Sequence, residues 1–147
     1  MSARPGSAST EGRFVLDAFA VLAMVGQETG GDVVQALCAN AEARIWMSAV
    51  NLSEVYYILL RRRGESAAGE TERAVQRQDN ISVVDATWER ARAAATIKAR
   101  GGLSLADAFA AALAREQDAV LVTDDPEYRA LEAAGDLRIL WLGSPPA

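Results

Sequence analysis

Five short, largely apolar runs recur along the chain, each followed by a stretch with helical or turn spacing. The first, Phe14-Val15-Leu16, runs straight into Asp17. A wholly apolar run of this length reads as a strand buried on both faces, as in the middle of a parallel sheet. The later runs are Arg44 to Met47, Ile81 to Val84, Ala119 to Thr123 and Arg138 to Leu142. Strands alternating with helices predict an α/β fold whose central sheet is mostly parallel, has about five strands and is flanked by helices. In such sheets chemistry collects beyond the carboxyl ends of the strands. Asp17 is placed there, although a carboxylate at that point can equally cap the following helix.

The segments between the strands carry their own signals. Phe19 to Val25 is an apolar helix ending near Gly26. Val33, Val34, Leu37 and Cys38 fall at helical spacing after Gly30-Gly31. Ser48 opens a helix with Leu52, Val55, Tyr56, Leu59 and Leu60 on one stripe. Arg61-Arg62-Arg63 fills its last turn and Gly64 ends it. Glu65 to Gln78 predicts a solvated helix, being polar with few large apolar residues. Asp85 or Thr87 caps a helix carrying Trp88, Ala91, Ala95 and Ile97. Ser104 caps an alanine-rich helix to about Glu116, with Leu105, Phe109 and Leu113 on one stripe. Its small side chains let it lie close against a sheet. Asp125-Pro126 starts a short helix, with Pro at the first helical position.

With 147 residues, half of them hydrophobic, the chain predicts one domain with a real core, spanning residues 13–142. Residues 1–12 read as a disordered N-terminal tail and 143–147 as a C-terminal tail. No apolar run approaches the ~18 residues of a membrane span, so no membrane partner is expected. The start of the chain lacks the hydrophobic core of a secretory signal. Cys38 is the single cysteine, which excludes an intrachain disulfide and makes a reducing cytoplasm the expected location.

Absent residue types narrow the chemistry further. The chain has no histidine, which removes Ser-His and Cys-His catalysis and every His-containing metal site. One cysteine removes thiolate zinc clusters. Lys98 is the single lysine and lies outside any Gly-rich loop. Catalysis by this chain therefore falls to carboxylates, working through a hard cation with oxygen ligands. The net charge of −5 argues mildly against a broad basic surface for nucleic acid. The charge is uneven: Arg61 to Arg115 holds ten basic and seven acidic residues, the remainder five basic and thirteen acidic.

Further acidic residues sit where strands hand over to helices, or one turn inside those helices. Glu54 follows Asn51 by three, Asp107 follows Ser104 by three, and Asp124-Asp125 follow the fourth strand. Each has a purely structural explanation. Asn51-x-x-Glu54 and Ser104-x-x-Asp107 have the form of capping boxes, and Asp125 before Pro126 that of an N-cap. Together they say more. Like charges gathered at one edge repel, so folding alone gives no reason to collect them, whereas a divalent cation does. Such a cation bridges phosphate oxygens and activates a bound water for in-line attack on phosphorus. Which of Asp124 and Asp125 faces Asp17 stays open, because successive residues leaving a strand point to opposite sides.

Four stretches in this order resemble the PIN domain, most of all VapC-type toxins of bacterial toxin–antitoxin pairs. They are Phe14-Val15-Leu16-Asp17, Asn51-Leu52-Ser53-Glu54, Leu103-Ser104-Leu105-Ala106-Asp107-Ala108 and Leu121-Val122-Thr123-Asp124-Asp125-Pro126-Glu127-Tyr128. The resemblance spans roughly Arg13 to Leu142. It implies a three-layer PIN-like fold and a Mg²⁺- or Mn²⁺-dependent endoribonuclease acting as a toxin. It implies Asp17, Glu54, Asp107 and Asp125 as catalytic residues, with Asp17, Asp107 and Asp125 binding the metal. Glu54 becomes a ligand, a carboxylate supporting the ligands, or the group that orients the water. Thr123 matches the hydroxyl that the family carries before its last acidic residue; that residue, in the pattern Thr-x-Asp-x-x-aromatic, is Asp125, which leaves Asp124 a supporting place. The resemblance further implies an RNA substrate, a cognate antitoxin and a homodimer. The alternative is a catalytically inactive module of the same fold that works by binding protein.

One position departs from the pattern. Many relatives carry Ser or Asn two residues after the first Asp, and here that residue is Phe19. Arg61, Arg62 and Arg63 read two ways, as complements to a helix C-terminus or as guides for the RNA backbone. Tyr56, Tyr57 and Trp88 offer faces for base stacking, although aromatics on helix stripes usually belong to cores. A phosphoacceptor signalling domain, suggested by Asp124-Asp125, fails because it needs a lysine on a late strand and Lys98 falls in a helix.

Overall fold

The five apolar runs become five strands: β1 (Arg13–Leu16), β2 (Arg44–Ser48), β3 (Ile81–Val84), β4 (Val120–Thr123) and β5 (Ile139–Trp141). This is seen in a computed structural model that describes residues 12–143, so the two expected tails fall almost entirely outside the described residues. The strands are all parallel, in the order β3-β2-β1-β4-β5. Among the described residues seven α-helices connect them: α1 (Ala18–Val25), α2 (Gly31–Ala39), α3 (Ala49–Arg63), α4 (Glu65–Arg77), α5 (Trp88–Lys98), α6 (Leu105–Glu116) and α7 (Arg129–Ala133). A 3₁₀ turn, Pro126–Tyr128, precedes α7.

Period-two alternation sorts the side chains of the central strands. Val15, Trp46 and Leu121 face one side and pack with Ala94, Ile97, Phe109, Leu113 and Leu131 of α5, α6 and α7. Leu16, Ile45, Met47 and Val122 face the other and pack with Val21, Val34, Val55 and Val75 of α1 to α4. Right-handed crossovers require this division, since the chain winds outward from β1 through β2 to β3, then crosses back to β4 and β5. The result is three layers. The alanine run of α6 works as expected: Ala108 to Ala114 is buried throughout, which lets this helix lie close under β1, β2 and β4.

Several helices differ from expectation in which face they bury. Ser48 is the true N-cap of α3, accepting from the Val50 N–H, so Asn51 does not cap; it lies inside the first turn, fully buried. Of the α3 stripe, Leu52, Val55 and Leu59 are buried and Leu60 is exposed. The polar α4 still buries Ala68 and Val75 against α3. Gly64, at φ +91°, turns the chain between α3 and α4, where a side chain would be strained. Thr87 caps α5, which buries Ala94 and Ile97 and leaves Trp88 68% exposed. Leu105 opens α6 on the solvent side of the stripe completed by Phe109 and Leu113.

Topology fixes where a site can form. The direction of winding reverses between β1 and β4, the switch point beyond whose strand ends open parallel sheets place their sites. Asp17 leaves β1 there, and Thr123 ends β4 beside it, one step past the paired Leu16 and Val122.

Candidate active site

Asp17 is 2% exposed, an unusual position for a carboxylate. Both its oxygens are held. Oδ1 accepts from the Ala20 N–H at 2.9 Å, so Asp17 does cap α1. Oδ2 accepts from the Thr123 hydroxyl at 2.5 Å. Thr123 is itself fully buried and its Oγ1 accepts from the Asp125 N–H at 3.1 Å. One hydroxyl thus ties the first aspartate to the backbone of the last.

Asp125 caps the 3₁₀ turn, its Oδ1 accepting from the Glu127 N–H at 3.0 Å. Asp124 turns elsewhere: its Oδ1 accepts from the Gly143 N–H at 2.8 Å, fastening the chain after β5. Gly143 packs so closely that a Cβ there would lie 2.6 Å from the Asp124 carboxylate. Ser104 caps α6 by accepting from the Asp107 N–H at 3.1 Å. The capped turn presents Asp107 toward Asp125, and carboxylate oxygens of Asp107, Asp125 and Glu127 lie within 4.8 Å of one another.

Glu54 approaches from α3. Its helix is pinned to α6 by Asn51, whose Nδ2 donates to the Ala106 carbonyl at 3.0 Å. The Asn51 Oδ1 and the Tyr128 hydroxyl are both buried without a hydrogen-bond partner among the described residues. Asn51 and Glu127 escaped the sequence reading. For Asn51 there was a signal: once Ser48 caps α3, an asparagine in the helix interior is disfavoured and needs another task. For Glu127 there was none, because its approach to Asp107 depends on the 3₁₀ geometry after Pro126.

Electrostatics report the same convergence. Burial raises the Asp17 pKa to about 7; the Thr123 and Ala20 bonds pull it down, and the charges of Asp107 and Asp125 push it up again. Glu54 is raised by burial, then by Asp107 and Asp125. Asp107 is raised by burial and by Asp125, partly offset by the nearby Ser104 and Tyr128 hydroxyls. The charges of Asp107 and Asp125 thus reach both Asp17 and Glu54. Negative charge so concentrated, with oxygen donors alone, suits a hard divalent cation.

The arginines do not join them. Arg61, Arg62 and Arg63 are exposed at the far end of α3, about 10–14 Å along the axis from Glu54. The Arg61 guanidinium lies over the ring of Tyr57, 5.4 Å from its centroid, and Tyr57 is 46% exposed. Phe19 is exposed on the first turn of α1 and offers Asp17 no hydrogen bond. A groove of about 630 Å³ between α5 and α6, lined by Arg90, Ile97 and Phe109 among others, contains none of the four carboxylates.

The sequence model of the PIN domain matches residues 14–134. The chain belongs to the PIN domain family. No curated protein sequence matches it. Among solved structures this PIN domain is similar to the Mycobacterium tuberculosis toxin VapC20, described as cleaving the sarcin–ricin loop. That pair has a TM-score of 0.66 at 21% identity, covering 80% of this chain and 93% of the other. VapBC2 of Rickettsia felis, bound to a DNA fragment from its promoter, gives 0.63 at 16% identity over 87% and 97%. VapBC-5 of M. tuberculosis gives 0.59 at 19% identity over 88% and 98%. These likenesses concern the PIN fold.

Proposed function

We propose that this PIN domain is a metal-dependent endoribonuclease acting as the toxin of a toxin–antitoxin pair. The observation that carries the reading is the meeting of Asp107, Asp125 and Glu127 within 4.8 Å beside the buried Asp17. Asp17, Asp107 and Asp125 hold a Mg²⁺ or Mn²⁺ ion, with Glu127 within reach as a further ligand. When bound, the cation supplies an activated water and offsets charge on the scissile phosphate.

The chain's own residues prepare that chemistry. Thr123 and the Ala20 N–H fix the Asp17 carboxylate, so it would meet a cation without reorganising. Ser104 sets the first turn of α6 and with it Asp107. Glu54 orients the attacking water or takes its proton; burial and the charges of Asp107 and Asp125 raise its pKa, which strengthens it as a base. Glu54, Tyr57 and Arg61 lie at i, i+3 and i+7 on α3, so one helix face leads from the cleft past an aromatic ring to a guanidinium. A single-stranded RNA following that face stacks a base on Tyr57 and sets phosphates against Arg61, Arg62 and Arg63.

The printed descriptions of the similar structures support the biological half: VapC20 is described as a toxin, and the VapBC proteins belong to toxin–antitoxin systems. An antitoxin protein is therefore the proposed partner, a homodimer the proposed assembly and the cytoplasm the proposed place of action. Exposed Phe19, Val33, Leu60 and Leu105 give apolar surface for such contacts. Among the described residues, no helix is long and apolar enough to cross a membrane.

The test is cleavage of a structured RNA by purified protein in EDTA, then after adding Mg²⁺ or Mn²⁺. Cleavage that appears with the cation and stops on chelation supports the reading. A folded, cation-treated protein that leaves RNA intact but binds a partner protein favours the non-catalytic module.

A further inference from the structure

The carboxylates of the cleft are not anchored equally. Asp17 is held at both oxygens, by Ala20 and Thr123. Asp125 is held at Oδ1 by the Glu127 N–H. The Asp107 carboxylate, although half-buried and central to the cluster, receives no hydrogen bond of good geometry; Ser104 engages its backbone N–H instead.

The Tyr128 hydroxyl is the complementary anomaly. Tyr128 is 0% exposed, and its hydroxyl has no hydrogen-bond partner of good geometry among the described residues. A buried phenol without an acceptor is less stable than phenylalanine of the same shape, so packing alone gives no reason for the oxygen. Its surroundings supply one. Tyr128 ends the 3₁₀ turn that Asp125 caps, its N–H reaching the Asp125 carbonyl at 3.3 Å. The charges of Asp17, Asp107 and Asp125 all act on it, and its hydroxyl lies close enough to Asp107 to lower that carboxyl's pKa. An ionised carboxylate accepts only, and a phenol can donate.

We propose that Tyr128 is a positioning residue: its hydroxyl donates to the Asp107 carboxylate when that group engages a cation, fixing a ligand that, unlike Asp17 and Asp125, has no other anchor among the described residues. Because Tyr128 is fully buried, it acts through Asp107 and does not touch RNA. The idea rests on the cation-binding reading above, and its test separates the two.

Mn²⁺ is titrated calorimetrically into metal-free wild type, Tyr128→Phe, Asp107→Asn and the double variant, with melting temperatures in EDTA. The expected result is Mn²⁺ binding about tenfold weaker in Tyr128→Phe. Its metal-free melting temperature is expected to equal or exceed that of wild type. In the Asp107→Asn background the Tyr128→Phe change alters affinity no further. Wild-type affinity in Tyr128→Phe overturns the proposal and leaves the metal reading intact. An equal loss in both backgrounds also overturns it, since the hydroxyl then does not act through Asp107. Unfolding of metal-free Tyr128→Phe overturns it too, because the oxygen then supports the fold. Absence of Mn²⁺ binding in wild type removes both readings together.

Discussion

The Thr123 hydroxyl donates to Asp17 Oδ2 at 2.5 Å, joining the end of β4 to the end of β1 at the point where the sheet reverses its winding. The same oxygen accepts the Asp125 N–H, so two aspartates share one anchor. Thr123→Val keeps the shape and removes the donor. It leaves a buried carboxylate oxygen unpartnered, a loss of about 1–3 kcal/mol. Cation affinity and RNA cleavage are expected to fall about 10–100-fold, as for other groups that orient metal ligands. Thr123→Ser restores both. Unfolding in urea and cleavage at saturating Mn²⁺, measured on all three proteins, check this.

Metal-free stability should depend on pH through Asp17. Its folded pKa, about 7, stands above the ordinary 3.8. The folded state therefore retains a proton that the unfolded chain releases. The stabilisation is complete below the ordinary value and is lost as pH rises toward and through the folded one. Asp17→Asn has no such titration and keeps an oxygen to accept from Ala20 or Thr123. In EDTA, the melting temperature of wild type relative to Asp17→Asn is expected to fall as pH rises from about 4 to 7 and to level off above. Saturating Mn²⁺ should reverse the loss at high pH for wild type alone. A difference that does not change with pH contradicts the buried, raised carboxyl.

The adjacent aspartates should separate cleanly. Asp125 faces Asp107 and Glu127, whereas Asp124 holds the Gly143 N–H. Asp125→Asn keeps an acceptor for the Glu127 N–H and is expected to cripple cleavage with little change in stability. Asp125→Ala loses about 1 kcal/mol in addition, because the turn loses its cap. Asp124→Asn should retain most activity. Cleavage rates at saturating Mg²⁺ and denaturant midpoints decide it, and an inactive Asp124→Asn beside an active Asp125→Asn reverses the roles.

Asn51 sets the spacing between the helices that carry Glu54 and Asp107. Asn51→Ala removes a buried hydrogen bond to the Ala106 carbonyl and is expected to destabilise the protein by about 1–3 kcal/mol. Cleavage should fall even where the variant is fully folded, since Glu54 loses its fixed distance from Asp107. A stability change under about 0.5 kcal/mol with unchanged cleavage marks the amide as incidental.

The architecture was legible because it rests on local signals. Apolar runs ending in Asp17 and Thr123, glycine stops and serine caps each mark an element from a few neighbouring residues. The expected convergence of the four acidic residues rests on the place of Asp17 and Asp125 at strand ends and of Glu54 and Asp107 early in helices that reach the same edge, with the PIN resemblance supplying the roles. What stayed hidden depends on contacts distant in sequence. The Asn51–Ala106 bond spans 55 positions and the Thr123–Asp17 bond 106. Helix faces were the weaker reading: Trp88 and Leu105 fit core stripes by spacing, yet each opens its helix and points away from the sheet. Periodicity alone does not report where a helix first touches its neighbours.

On the proposed reading, the buried and half-buried carboxylates form one cation site for cutting RNA. The most direct measurement follows RNA cleavage and Mn²⁺ binding together for wild type, Asp17→Asn and Asp107→Asn, with circular dichroism of each. The account predicts that wild type binds Mn²⁺ and cuts, while both variants keep the wild-type spectrum, bind Mn²⁺ weakly and cut slower by orders of magnitude. Folded variants that bind Mn²⁺ and cut RNA as wild type does would contradict it.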